Sequence, residues 1–126
     1  MALTSDTAPV YAYRFDWMTP IMGGKLYSPH TIEIPFAFDN VTTDAGRIMT
    51  EGGAEAAALA QSVSEAWVTF AKTGKPAAAS LPDWPEYTPE TRQAMHLNVD
   101  STTDTYIDPR AFNLFKSLLW SRAGLE

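Results

Sequence analysis

The first clear pattern along the chain is VYAYRF at residues 10–15, where Tyr11, Tyr13 and Phe15 alternate with Ala12 and Arg14. A period of two among β-branched and aromatic residues predicts a strand over Val10 to Phe15. Trp17 to His30 holds Pro20, Gly23, Gly24 and Pro29, which predicts an irregular loop. Thr42 to Gly53 is polar and glycine-bearing and predicts loop with a turn of helix. The period then changes. Leu59, Val63, Ala66, Trp67 and Phe70 recur at helical spacing within Ala54 to Lys72. Glu55 sits near the positive end of that helix, and Lys72 followed by Gly74 and Pro76 marks its stop. LPDWPEYTPETR at 81–92 is a proline-rich loop with Trp84 and Tyr87 as its anchors. Met95, Leu97 and Val99 alternate and predict a second, short strand. Asp108 and Pro109 open a last helix as cap and first-turn proline, with Phe112, Phe115, Leu118 and Leu119 as its apolar stripe. No internal repeat is visible.

These elements read as part of something larger. Two strands about eighty residues apart do not close a sheet, and an aromatic strand with no neighbour is an aggregation hazard. Both helices carry wide apolar faces, so the expectation is a segment built to pack on a bigger body. Around Ile32 the pattern is ambiguous. Ile32, Ile34, Phe36 and Phe38 alternate as a strand would, but Pro35 would remove a ladder donor.

Composition narrows the picture. At 126 residues there is room for one core, and 45% hydrophobic with 19% charged residues is a composition that folds. A net charge of -6 argues against nucleic acid as a partner. No apolar run approaches the ~18 residues of a membrane span, so no membrane partner is expected. MALTSDTAPV lacks the basic and apolar regions of a signal peptide. The absence of cysteine excludes thiolate chemistry, disulfides and cysteine-type zinc sites, and is compatible with a cytoplasmic, reducing compartment. The candidate chemistry rests on two histidines. His96 falls on the polar phase of the second strand, which reads as a surface position, whereas His30 lies between a glycine-bearing loop and the run TIEIPFAFDN.

Four blocks carry a resemblance: VYAYRFDW, GGKLYSPHTIEIPFAFDN, SEAWVTFAKTGKP and LPDWPEYTPETRQAMHLN. In this order they resemble the C-terminal portion of the type B carboxylesterase/lipase family, which includes bacterial para-nitrobenzyl esterases and cholinesterases. The likeness runs from about Pro9 to Leu119, and the block around His30 is its most specific part. It implies an α/β class, with residues 1–126 forming a single C-terminal segment of an α/β-hydrolase domain: one core strand, a histidine loop, two main helices and one short strand. It also implies a turn of helix, rather than a strand, after His30. The sequence departs from the family pattern at Asp39, where a glycine is usual, and at Pro29 and Thr31, which flank His30 where small residues are common.

The resemblance implies that the parent activity is hydrolysis of a small carboxylic ester through an acyl-serine intermediate, without metal or organic cofactor. The family's triad follows the chain order nucleophile, acid, histidine. His30 thereby receives the general-base role, and Glu33 that of a buried, hydrogen-bonded supporting carboxylate. As triad acid Glu33 is disfavoured, because a residue three positions away would rarely face the ring correctly. Met18, Met22, Leu26 and Tyr27 are candidates to line the alcohol or acyl pocket, with loop packing as the alternative. No serine here lies in a G-x-S-x-G elbow, and no glycine-rich oxyanion segment precedes one. One triad member of three is therefore expected, and the implied partner is the N-terminal portion of the hydrolase. The competing expectation is a non-catalytic remnant or interaction module, held together by self-association of its apolar faces.

Overall fold

The computed structural model describes residues 8–106 and 108–123. The elements are, in order, β1 (Tyr13–Phe15), a 3-10 helix (Ile21–Gly24), α1 (Ile34–Ala37), α2 (Asp44–Thr50), α3 (Ala54–Thr73), β2 (Gln93–Leu97), β3 (Thr102–Thr105) and α4 (Pro109–Ala123). The strands form one sheet in the order β1-β2-β3.

The strand predicted to lack neighbours has one. β1 pairs parallel with β2, setting Tyr13 against Met95, Arg14 against His96 and Phe15 against Leu97. The ladder runs past both ends of β1, with Met95 N–H donating to Ala12 O and Asp16 N–H to Leu97 O. A parallel pair needs a long crossover, and the whole stretch between these strands supplies it. β3, antiparallel to β2, lies in a stretch whose sequence, TTDT, has no apolar alternation to announce it. It is an edge strand, and its alternate residues Thr102 and Asp104 are exposed. Val99, assigned to the second strand by its spacing, lies beyond the end of β2 and is exposed.

One face of the sheet builds the core. Met95 and Leu97 are fully buried, as are Ile32, Phe36, Val63 and Ala66 from the crossover. Phe36 is the hub: its ring centroid lies 4.8 Å from that of Trp17 and 5.0 Å from that of Phe15. Aromatic pairs at these spacings add to their buried area. α1 packs on α3. Pro35 is tolerated in α1 because a proline in the first helical turn gives up an N–H that had no partner. α3 buries Leu59, Val63 and Ala66, leaves Trp67 half-buried beside Tyr13 at 5.0 Å, and exposes much of Phe70. Gly74 closes it at φ 79°, donating to Phe70 O at 2.8 Å. Trp84 is buried and donates to Ala12 O at 3.0 Å, while Tyr87 N–H donates to Val10 O, so both loop anchors hold the start of β1.

α4 is capped by Asp108, whose carboxylate accepts from Arg110 and Ala111 N–H at 2.8 and 3.3 Å. Of its predicted stripe only Phe112 is sheltered, beneath the Arg92 guanidinium at 4.5 Å. Phe115, Leu118 and Leu119 are exposed. No described helix is long and apolar enough to cross a membrane.

The other sheet face carries a polar clamp, and here the surface assignment of His96 is overturned. The side chain is only 12% exposed. Its Nδ1 lies 2.8 Å from Asp16 Oδ2 and its Nε2 3.1 Å from Thr105 O, so both ring nitrogens face oxygen acceptors. Arg14 holds the same carboxylate at both oxygens, at 2.6 and 2.9 Å. The polar phase of β2 is covered because β2 is the central strand and Asp16 reaches over it from the end of β1. Partial burial pushes the Asp16 carboxyl up, but the hydrogen bonds and charges of Arg14 and His96 outweigh it and hold it below the usual carboxylate range.

That balance fixes a sign. A carboxyl whose native pKa lies below its unfolded value of ~3.9 stabilises the fold fully above that value, and the benefit is lost as pH falls through the native pKa. Asp16→Asn should therefore lower stability at pH 7 by about 1.5–3 kcal/mol, the range for hydrogen bonds to a charged group. In urea titrations at pH 7 and pH 3, the gap between wild type and variant should shrink at the lower pH. A gap that widened there would contradict the clamp.

Candidate active-site turn

His30 follows β1 by a loop that folds back, so that it shares a cleft with Phe15 at the carboxyl end of the strand, the end of a sheet where open α/β folds place their ligands. It lies at the corner of a tight turn. Ile32 N–H donates to Pro29 O at 3.1 Å, which makes His30 and Thr31 the two central residues. Thr31 has φ 76°, matching the positive φ that a type II turn requires at its third position. Ile32 then plugs into the core at 1% exposure, while the His30 side chain stays outside and exposed. Burying the isoleucine turns the histidine outward.

The loop before the turn is pinned at several points. Ser28 Oγ donates to Phe15 O at 2.9 Å, and Thr19 N–H donates to Tyr27 O at 2.9 Å. The buried Thr19 hydroxyl also donates to Met49 O at the end of α2. His30 borders an open cleft of about 420 Å³ together with Tyr13, Phe15, Ser28, Glu33 and Tyr106. Burial pushes the Tyr13 phenol up, and the neighbouring Glu33 and Tyr106 add to the shift.

Glu33 differs from the buried, bonded carboxylate expected of it. It precedes α1 and is half-buried; its backbone carbonyl accepts from Phe36 and Ala37 N–H, but among the described residues its carboxylate accepts no hydrogen bond. Met18, Met22, Leu26 and Tyr27 are exposed, and none of them borders the cleft of His30. Among the described residues no group of three His, Cys, Asp or Glu side chains could hold a metal ion. The Ser28 tether escaped the sequence reading, since nothing in SPH distinguishes a hydroxyl that folds back thirteen residues.

Two departures from the family pattern acquire a physical meaning. Thr31 at φ 76° and Asp39 at φ 49° both occupy the left-handed region that glycine adopts freely. Aspartate visits that region tolerably, but a β-branched threonine is a genuine outlier there.

A β-strand, a histidine turn off its carboxyl end, and helices packed on a sheet are the makings of an α/β-hydrolase. The solved structures agree. A para-nitrobenzyl esterase superposes with a TM-score of 0.72 at 34% identity, covering 86% of this chain and 22% of that one. An esterase from Clostridium hathewayi gives 0.74 at 27%, covering 86% and 21%. The carboxylesterase family model matches residues 1–115, and the chain belongs to that family. It is 36% identical over 107 residues to the para-nitrobenzyl esterase of Bacillus subtilis (strain 168), covering 85% of this chain and 21% of the relative. The phenmedipham hydrolase of Pseudarthrobacter oxydans is 36% identical over 81 residues, 63% of this chain and 16% of that enzyme. The chain thus spans about one fifth of the length of the curated relatives it matches.

Strain at Thr31 can be tested directly. Threonine in the left-handed region costs about 1–3 kcal/mol, and glycine costs about 0.5–1 kcal/mol in extra chain entropy. Thr31→Gly should therefore raise stability by about 1 kcal/mol in chemical denaturation. A loss of stability would mean that Thr31 makes compensating contacts.

Proposed function

We propose that this chain is the C-terminal, histidine-bearing segment of a serine-dependent carboxylic ester hydrolase, active only in an assembly with the N-terminal portion that carries the nucleophile and the acid. The observation that carries this reading is the position of His30: exposed, at a turn corner beside the carboxyl end of β1, in a chain of the carboxylesterase family. Relatives named as esterases and hydrolases support a carboxylic ester as the substrate class.

In that assembly His30 takes the proton of the serine hydroxyl as the oxygen attacks the ester carbonyl. It then returns the proton to the departing alcohol, leaving an acyl-serine, and repeats the exchange with water. An imidazole exposed at a turn corner can be reached by a hydroxyl brought from another segment, which a buried ring could not. The clamped His96 is unsuited to this work, because both its nitrogens are already engaged.

A second reading, a self-associating interaction module, draws on α4, whose Leu114, Phe115, Leu118, Leu119 and Trp120 are all at least half exposed. Light scattering after size exclusion separates the two. A stable dimer that excludes the N-terminal portion would favour the module.

Alone, the chain should hydrolyse p-nitrophenyl acetate no faster than free imidazole, because the serine elbow and oxyanion donors supply most of the rate. Fused to or co-expressed with the N-terminal portion, it should gain esterase activity. His30→Gln in that assembly should lower kcat by a factor on the order of 10⁴. His96→Gln should act through stability and leave kcat of the folded assembly within about threefold. A folded His30→Gln assembly with near-full activity would remove the catalytic assignment.

A further inference from the structure

We infer that Ser28 is the positioning residue for His30; this rests on the reading of His30 as the general base. The backbone leaves the sheet at Phe15, wanders through a loop, and returns so that Ser28 Oγ donates to Phe15 O at 2.9 Å across thirteen residues. Among the described residues, no other side chain between 26 and 33 makes a hydrogen bond, so this contact alone ties the turn's side chains to the sheet. The bond is partly buried, which shields it from competing water.

The tether reaches the histidine with little slack. Pro29, the one residue between them, has a fixed φ and also restricts Ser28 to extended conformations. On the far side the buried Ile32 anchors the turn, and its N–H closes onto Pro29 O. The His30 backbone is therefore held from both directions, and its side-chain torsions are what remain free. Removing the Ser28 hydroxyl takes away the one side-chain tie between the turn and β1, leaving the Thr19 N–H bond to Tyr27 O as the nearest hold on that approach while the Ile32 side persists, so the loss is local. A general base must hold its place to within about half an ångström, and a displacement of about 1 Å can cost about a hundredfold in rate. Ser28 contributes no nucleophile in this scheme, since its proton is committed to the Phe15 carbonyl.

The test uses the complemented assembly for rate and the chain itself for dynamics. Ser28→Ala should lower kcat about tenfold or more with KM within about twofold, because a positioning residue acts through His30 in the proton-transfer step. Ser28→Thr, which keeps the hydroxyl on an extended backbone, should restore most of kcat. In the chain, the amide order parameter of His30 should fall in Ser28→Ala from the rigid value of ~0.85 towards ~0.6, with Met95 and Leu97 unchanged. A kcat unaltered by Ser28→Ala in an assembly that His30→Gln inactivates would overturn the positioning role while leaving the catalytic one intact. Failure of Ser28→Thr to restore kcat would overturn it too. If His30→Gln proves active, the catalytic reading falls, and an unchanged His30 order parameter in Ser28→Ala would overturn the tether separately.

Discussion

The parallel pairing of β1 with β2 is the constraint on which the rest depends. Joining Tyr13–Phe15 to Met95–Leu97 in one direction obliges the chain to leave the sheet at Asp16, cross its face and return. Everything in between is that crossover, and its packing is dictated by what the two strands offer on one side: Phe15, Met95 and Leu97 against Ile32, Phe36 and the inner stripe of α3. The other side of the same pair is polar, and Asp16 draws Arg14 and His96 together there. One pairing thus supplies both the apolar core and the clamp that fixes the end of β1.

The proposed site lies on the loop that opens the crossover, between β1 and α1. A residue at the end of a long loop shares the strand's rigidity only if the loop is tied back, and Ser28, Thr19 and Ile32 do this by hydroxyl, backbone and burial. The strained φ of Thr31 belongs to the same arrangement, since the turn that sinks Ile32 into the core needs a left-handed residue beside His30. The clamp engages both ring nitrogens of His96 and serves the fold, whereas His30 is presented in a cleft that Arg14 of the clamp also borders.

Much of this was legible in the residues. VYAYRF pointed to β1, which forms only over Tyr13–Phe15 of the expected Val10 to Phe15, α3 declared its length through Glu55, Lys72 and Gly74, and Asp108–Pro109 marked the start of α4. What periodicity misses is whatever depends on distant partners. The β1–β2 contact joins residues about eighty apart, so nothing local announces it. β3 is a polar edge strand, and TTDT has no buried face to create a pattern. The polar phase of β2 reads as surface until Asp16 is known to lie over it. For the site, the block around His30 pointed to the turn, whereas the outward-facing Met18, Met22, Leu26 and Tyr27 owe their direction to loop geometry, with positive φ at Met22 and Tyr27 that sequence alone does not disclose.

The central claim is that His30 serves a nucleophile brought by another segment. The most direct measurement is the pre-steady-state burst of p-nitrophenol from a p-nitrophenyl ester, using the complemented assembly at stoichiometric concentrations. The account predicts close to one equivalent released per assembly in the wild type and none on that timescale with His30→Ala, both assemblies being folded by circular dichroism. A full burst that survives His30→Ala would contradict it.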